Sequence, residues 1–169
     1  VPIISGVAHD NTESLATVRR VPNEPGMAAK VFTLLAEAGV NVDMIVQASA
    51  STGTADISFT VPGSAAAKVR DVLQEKQDEL GYQSFDIDAN VGKVAVVGVG
   101  MKTHSGLAAK FFNALSDEGV NVLMISTSEI RIAALVPLEQ LQDAVRALHT
   151  AYGLDAEQVE AVVYGGTGR

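Results

Sequence analysis

Residues 26–49 read GMAAKVFTLLAEAGVNVDMIVQAS, and eighty positions further on residues 106–129 read GLAAKFFNALSDEGVNVLMISTSE. Twelve of the twenty-four aligned positions are identical, and the alignment needs no gap. A repeat at this long spacing suits a whole small domain rather than one unit of a solenoid. Each copy has the pattern of an amphipathic helix, a glycine turn and a strand. The sequence therefore predicts two copies of one α/β module.

The residues around the first copy predict the order strand–helix–strand–strand–helix–strand. We expect the first helix to begin near Pro25, with Asn23 or Glu24 as its cap, and to end at Gly39. A second helix is expected to start at residues 62–64. The predicted strands of this module are 15–21, 40–48, 55–61 and 82–88.

The second copy repeats this order. Its predicted strands are 93–99, 120–127, 130–137 and 161–164, and its predicted helices are 106–118 and 138–152. The order is that of the ferredoxin-like split βαβ fold, so we predict an α+β chain with two βαββαβ modules packed in tandem. The modules are placed at residues 15–90 and 91–169. The sequence does not decide which module an additional strand within residues 3–10 joins.

Composition excludes several classes of function. The net charge is −8 and the pI about 4.7, which disfavours a nucleic acid or an anionic membrane surface as a partner. The chain has no cysteine, which excludes disulfides and thiolate sites and is compatible with the cytoplasm. No apolar run reaches the length of a membrane span.

The loops that precede the two repeated helices, residues 22–26 and 101–106, each place a glycine at or near a helix N-terminus. Free backbone N–H groups at such an end, aided by the helix dipole, suit an anion such as a carboxylate. Three polar residues, Asn41, Asp43 and Gln47, interrupt the apolar strand that we expect to begin beside the first loop. A carboxylate such as Asp43 accepts hydrogen bonds from an ammonium group. Backbone donors beside such acceptors match the needs of a free amino acid.

Each of these polar residues also has a purely structural explanation. Asn41 and Asn121 stand at predicted strand starts, where asparagine often serves as a turn or cap residue. Asp43 would face solvent on a one-sided sheet. The second copy has Leu123 in place of Asp43, so the two copies are expected to differ in affinity or in ligand.

The sequence favours binding over catalysis. His9, His104 and His149 are scattered without the spacing of metal ligands, which predicts surface or hydrogen-bonded histidines. Residues 98–100, Gly-Val-Gly, match only part of a dinucleotide-binding fingerprint. No nucleophilic triad or pair of catalytic carboxylates stands out, so we expect no cofactor and no metal in this chain.

Several runs resemble the ACT modules of bacterial aspartate kinases. In the first module these are residues 23–32 (NEPGMAAKVF), 42–47 (VDMIVQ) and 54–60 (TADISFT). In the second module the run ISTSEIRI at residues 125–132 is the most specific. The final run VVYGGTGR, residues 162–169, is similar to the C-terminus of the actinobacterial members.

The resemblance implies a regulatory, or β, subunit of an α2β2 aspartate kinase in the cytoplasm. Such a chain lacks the catalytic domain, so ATP and Mg²⁺ would belong to the catalytic, or α, subunit. Threonine, alone or in concert with lysine, would bind where ACT modules of two chains pack together and would inhibit the kinase by feedback. The expected partners are a second copy of this chain, the catalytic subunit, or both.

Carried over by position, the resemblance implies an effector pocket with two walls. The first module would supply Asn23, Glu24, Pro25, Gly26, Met27, Ala28, Ala29, Asn41, Asp43 and Gln47. The second module of a partner chain would supply Thr103, His104, Ser105, Gly106, Leu107, Asn121, Val122 and Ile125. Ser49 and Thr54 lie where members of the family tune inhibition.

Two other classes of protein match the sequence less well. A stand-alone ACT regulator of another amino-acid biosynthetic enzyme shares the fold, but the ISTSEIRI run speaks against it. An RNA-binding ferredoxin-like domain needs a basic sheet face with exposed aromatic residues, which the acidic charge and the low aromatic content disfavour.

Overall fold

The chain forms two compact units. The structure, a computed structural model, describes residues 3–99, 106–154 and 162–164. One unit is Glu13–Ala89, here the first module, and the other joins Val1–Thr12 to Asn90–Arg169, here the second module. The second module therefore contains the first strand of the chain, β1 (Ile3–Asp10).

The first module has the predicted order of elements. Its strands and helices are β2 (Glu13–Pro22), α1 (Met27–Glu37), β3 (Ile45–Ser49), β4 (Thr54–Pro62), α2 (Ala66–Glu75), α3 (Gln77–Leu80) and β5 (Ser84–Asp88). A 3₁₀ turn, Gly63–Ala65, leads into α2. The four strands form an antiparallel sheet in the order β3-β4-β2-β5, which leaves β3 at one edge.

One predicted strand of the first module is much shorter than expected. The sequence predicts a strand over residues 40–48, whereas the observed strand is Ile45–Ser49. Val40 and Met44 are buried, but they lie in an irregular crossing from the end of α1 to the sheet edge. The apolar residues of this segment reflect burial in that crossing, and they do not mark a continuous strand.

The second module repeats the same order of elements. They are β6 (Val91–Val99), α4 (Gly106–Asp117), β7 (Met124–Thr127), β8 (Arg131–Pro137), α5 (Leu141–Ala151) and β9 (Val162–Tyr164). A 3₁₀ turn, Leu138–Gln140, leads into α5. The predicted α+β class with two ferredoxin-like modules in tandem is confirmed.

The sheet of the second module has a fifth strand. Its order is β7-β8-β6-β1-β9, with β1 antiparallel to β6 and parallel to β9. In this sheet β1 takes the place beside β6 that β5 takes beside β2 in the first module. The N-terminal strand, whose module the sequence does not decide, is thus built into the second sheet.

The two cores fill equivalent positions with different side chains. In the first module Val31 on α1 and Phe59 on β4 are both buried in one cluster. Their equivalents in the second module, Phe111 on α4 and Ala134 on β8, are also fully buried in one cluster. One module thus has its large residue on the strand and the other on the helix. Close packing demands such compensation, because a core tolerates changes in shape better than changes in volume.

Candidate functional site

The start of α1 has no side-chain cap. Its N-cap is Gly26 with a φ of 92°, and no side chain among the described residues caps the first turn. The prediction that Asn23 or Glu24 caps this helix is therefore wrong, because the left-handed glycine delays the helix until Met27. Lys30 N donates to the Gly26 carbonyl at 2.9 Å. The amides of Ala28 and Ala29 have no acceptor one turn earlier in the helix, so an anion is favourably placed there.

The loop before α1 is held by backbone contacts from the neighbouring strand. A β-bulge between Val18 and Val21 places Arg20 at a φ of 57°, and the Asp56 carboxylate accepts from Arg20 N at 2.9 Å. Asn23 N donates to the Gly53 carbonyl at 3.0 Å. Bulges re-aim the chain at the ends of strands, and this one sets the direction in which the loop leaves β2.

A polar cluster, Asn23, Gln47 and Ser49, lies beside this loop. The side-chain amide of Asn23 donates to Ser49 Oγ at 3.2 Å, and Gln47 Nε2 approaches Asn23 Oδ1 at 3.5 Å. All three side chains are exposed. The structure thus brings together Asn23 and Gln47, both predicted, and adds Ser49, which only the family resemblance had singled out.

Two predicted residues, Asn41 and Asp43, lie away from this cluster. Asn41 follows the C-terminal end of α1, which at eleven residues is about 16 Å long. Asp43 precedes Gln47 by four residues, or about 13 Å of extended chain. The expectation that the following strand begins beside the loop is wrong, because a strand after a helix starts at the far end of that helix. Only its final residues return to the loop.

The predicted residues of the second module lie at the start of α4 and in the segment that leads to β7. Gly106 begins α4, while Thr103, His104 and Ser105 lie outside the described residues. Leu107 is half-buried, and its carbonyl accepts from the Tyr152 hydroxyl at 2.8 Å. Val122 packs against the core, whereas Asn121 is exposed.

Large apolar side chains are exposed on or beside the two edge strands β3 and β7. Five of them stand out: Ile45 (52% exposed), Val46 (39%), Leu123 (41%), Ile125 (48%) and Ile130 (56%). An edge strand that combines free backbone groups with apolar side chains is typical of a surface that another chain covers. Ile125, predicted as part of a partner wall, belongs to this exposed set.

Two histidines that are distant in sequence approach each other in the second module. Burial lowers the pKa of His9 below 6.5, nearby His149 lowers it further, and Asp10 opposes this. His149 Nε2 is buried without a hydrogen-bond partner among the described residues. The prediction of surface or hydrogen-bonded histidines is therefore wrong for His149, since no local pattern shows that β1 packs beside α5.

The stability of the second module should decrease as the pH falls below 6.5. The unfolded chain then binds a proton that folded His9, with its lowered pKa, resists, so protonation favours unfolding. The loss begins near 6.5 and is complete once the pH is below the folded pKa. Urea unfolding at several pH values would measure it, and His149→Gln should raise the pKa of His9 seen by NMR. A His9 pKa at or above its ordinary value would contradict this account.

Known proteins share this architecture. A family model described as an ACT domain matches residues 19–77 and again residues 94–152. An aspartokinase of Corynebacterium glutamicum is 46% identical over 99% of this chain and 40% of its own length. A crystal structure of aspartokinase alpha and beta subunits matches at 42% identity and a TM-score of 0.84, covering 89% of this chain and 99% of that one. The ligand-free regulatory subunit of aspartate kinase from Thermus thermophilus matches at 36% identity and a TM-score of 0.84, covering 88% and 98%.

Two tandem modules of this kind are a pair of ACT domains. The chain belongs to the regulatory ACT segments of the aspartokinase family. It spans about 40% of the length of the curated aspartokinases that it matches.

Within the described residues, no helix is both long and apolar enough to cross a membrane. The histidine, aspartate and glutamate side chains of the same residues form no group of three or more that is arranged to hold a metal ion.

Proposed function

We propose that this chain is the regulatory subunit of an aspartate kinase and that it binds threonine, alone or in concert with lysine, to inhibit the kinase by feedback. The observation that supports this most directly is the uncapped start of α1 beside the polar cluster Asn23, Gln47 and Ser49. A free α-amino acid presents one anion and one cation a few ångströms apart, and this corner of the first module offers groups suited to both.

The α-carboxylate is assigned to the first turn of α1. The amides of Ala28 and Ala29 precede the first helical donor, Lys30, so they have no acceptor one turn earlier in the helix. The positive end of the helix dipole adds to their attraction for a carboxylate. The Met27 amide is not assigned to the carboxylate, since it already donates to the Glu24 carbonyl at 3.2 Å.

The α-ammonium group is assigned to the polar cluster. The side-chain oxygens of Asn23 and Gln47 are acceptors for it, and Ser49 Oγ suits the hydroxyl of threonine. Asp43, the acceptor that the sequence first suggested, is too far along the chain from Gln47 to share a ligand of this size within one module. Asn41 follows the C-terminal end of α1, so the length of this helix separates it from the corner at the N-terminal end.

The second wall of the pocket is assigned to the second module of a partner chain. Asn121 and Ile125 are exposed there, and Val122 lies between them in sequence. The apolar side chains along β3 and β7 provide a surface that a dimer would remove from water. Gly106 and Leu107 would contribute the start of α4 to this wall. The family resemblance adds Thr103, His104 and Ser105 to it.

The catalytic step is assigned to a different subunit. This chain matches the regulatory part of aspartokinases, so ATP and Mg²⁺ belong, in this proposal, to a catalytic subunit that phosphorylates aspartate. One of the similar structures contains aspartokinase alpha and beta subunits together, which supports a partnership of the same kind. Location in the cytoplasm stays a prediction.

Calorimetric titration with threonine, lysine and their mixture tests the proposal. Threonine should bind saturably, promote self-association and raise the melting temperature; a ligand at 100 times its Kd stabilises the folded state by about 2.7 kcal/mol. Valine, which matches threonine in shape but lacks the hydroxyl, is the control ligand. If no amino acid of the aspartate family binds or shifts the melting temperature, the proposal is wrong.

A further inference from the structure

The turn that follows α4 is closed by a side-chain amide. Gln140 Nε2 donates to the Gly119 carbonyl at 3.1 Å, and Gln140 Oε1 accepts from Asn121 N at 2.8 Å. A primary amide is suited to this role because it presents a donor and an acceptor side by side. In the second module the chain therefore supplies its own amide to the backbone of this turn.

The equivalent turn of the first module has the same backbone. Val40 N donates to the Leu35 carbonyl at 3.0 Å, and its counterpart Val120 N donates to the Leu115 carbonyl at 2.9 Å. Gly39 has a φ of 80°, close to the 71° of Gly119 in the second module. The carbonyl of Gly39 and the amide of Asn41 are thus presented as their counterparts are in the second module.

The side chain that closes the turn is missing from the first module. The 3₁₀ turns after Pro62 and Pro137 are equivalent, and Ala65 stands where the second module has Gln140. Among the described residues, neither the Gly39 carbonyl nor Asn41 N has a hydrogen-bond partner. A cavity of about 300 Å³ lies here, at the lower end of the range for small-molecule sites.

The cavity also has a cation. Lys68 lines it together with Asn41, Ser64 and Ala65. No described residue forms an ion pair with Lys68. The equivalent position in the second module is Asp143, so both the missing amide and the positive charge distinguish the first module from the second.

We propose that this cavity binds a small carboxylate that bears a primary amide, with free glutamine as the simplest example. The ligand amide takes the role that Gln140 has in the second module: its N–H₂ donates to the Gly39 carbonyl and its oxygen accepts from Asn41 N. The ligand carboxylate pairs with the Lys68 ammonium. This site lies at the opposite end of α1 from the proposed threonine corner, so the two are independent.

Titration of the chain with glutamine, followed by the backbone amide signals of Gly39 and Asn41, tests the proposal. Both signals should shift saturably. Glutamate should bind about tenfold more weakly or worse, because its second carboxylate has no N–H to donate and leaves the Gly39 carbonyl unpaired. Shifts that do not saturate, or an equal response to glutamate, would overturn the proposal.

Two variants locate the effect. Ala65→Gln supplies an internal amide and should abolish the glutamine response. Ala67→Gln, exposed in the first turn of α2, is the matched control and should leave the response intact. Lys68→Met should weaken glutamine binding about tenfold, as expected for a lost charged contact. A response that survives both Ala65→Gln and Lys68→Met would show that glutamine binds elsewhere. Threonine binding should be unchanged in all three variants.

Discussion

Replacing Phe59 by alanine should destabilise the first module by about 3–5 kcal/mol, the cost of removing a buried aromatic side chain that leaves a cavity. Phe59 is fully buried in the middle strand pair of the sheet, and its ring meets that of Phe32 edge to face with centroids 5.5 Å apart. For a domain of this size each kcal/mol lowers the melting temperature by about 4–8 °C. Urea unfolding would measure the loss, and peptide-level hydrogen exchange would locate it within residues 13–89.

A second substitution tests the physical reason. The second module combines Phe111 with Ala134 at the positions of Val31 and Phe59, so Val31→Phe with Phe59→Ala transfers its arrangement to the first module. Because total volume is then nearly kept, the double variant should cost less than about 2 kcal/mol relative to the natural chain. If the double variant is no more stable than Phe59→Ala alone, a large residue at position 31 does not compensate for a small one at position 59.

Gly26→Ala should weaken threonine binding by about tenfold or more, a loss of about 1.4 kcal/mol. Gly26 has a φ of 92°, where a side chain strains the backbone by about 1–2 kcal/mol. An added Cβ meets nothing within 4 Å, so no clash obscures the result. We expect the loop to relieve the strain by rotating, which would turn the amides at the start of α1 away from the position that a carboxylate needs. Calorimetric titration with threonine measures the change.

Gly39→Ala is the matched control for this prediction. Gly39 lies at the other end of the same helix, has a φ of 80° and also has open space around an added Cβ. Both variants should lose similar stability, since both force an alanine into the left-handed region. Only Gly26→Ala should bind threonine more weakly. Equal weakening by both variants would mean that the start of α1 does not form the site.

The fold is largely predictable from sequence because its signals are local. The apolar stripe of α1 and the glycine that ends it lie within one helix length, and the repeat confirms them by showing them twice. The boundaries were less accurate. Pro25 suits a first helical turn, but the left-handed Gly26 decides where helical geometry starts. Residues 40–44 are predicted as strand because Val40, Val42 and Met44 are apolar, although no regular strand forms before Ile45.

The site was predicted in its residue types more than in its contacts. Asn23 and Gln47 stood out as polar residues near a helix end, yet their meeting depends on β3 returning parallel to β2 and ending at Ser49. The brace from Gln140 to Asn121 has no sequence signal, because it joins two turns across nineteen residues. The partner of β1 lies some ninety residues away along the chain, and no short-range pattern selects it.

The position of β1 between β6 and β9 has a consequence for the order of assembly. The first module is one unbroken segment, so it is able to fold as soon as residue 89 has left the ribosome. The sheet of the second module combines residues that precede and residues that follow the first module, and its edge pairing of β1 with β9 forms only after residues 162–164 have been synthesised. A fragment that starts at residue 91 would expose the unpaired flank of β6 and invite aggregation. A deletion that removes the first module should therefore keep β1 joined to β6 and the elements that follow it.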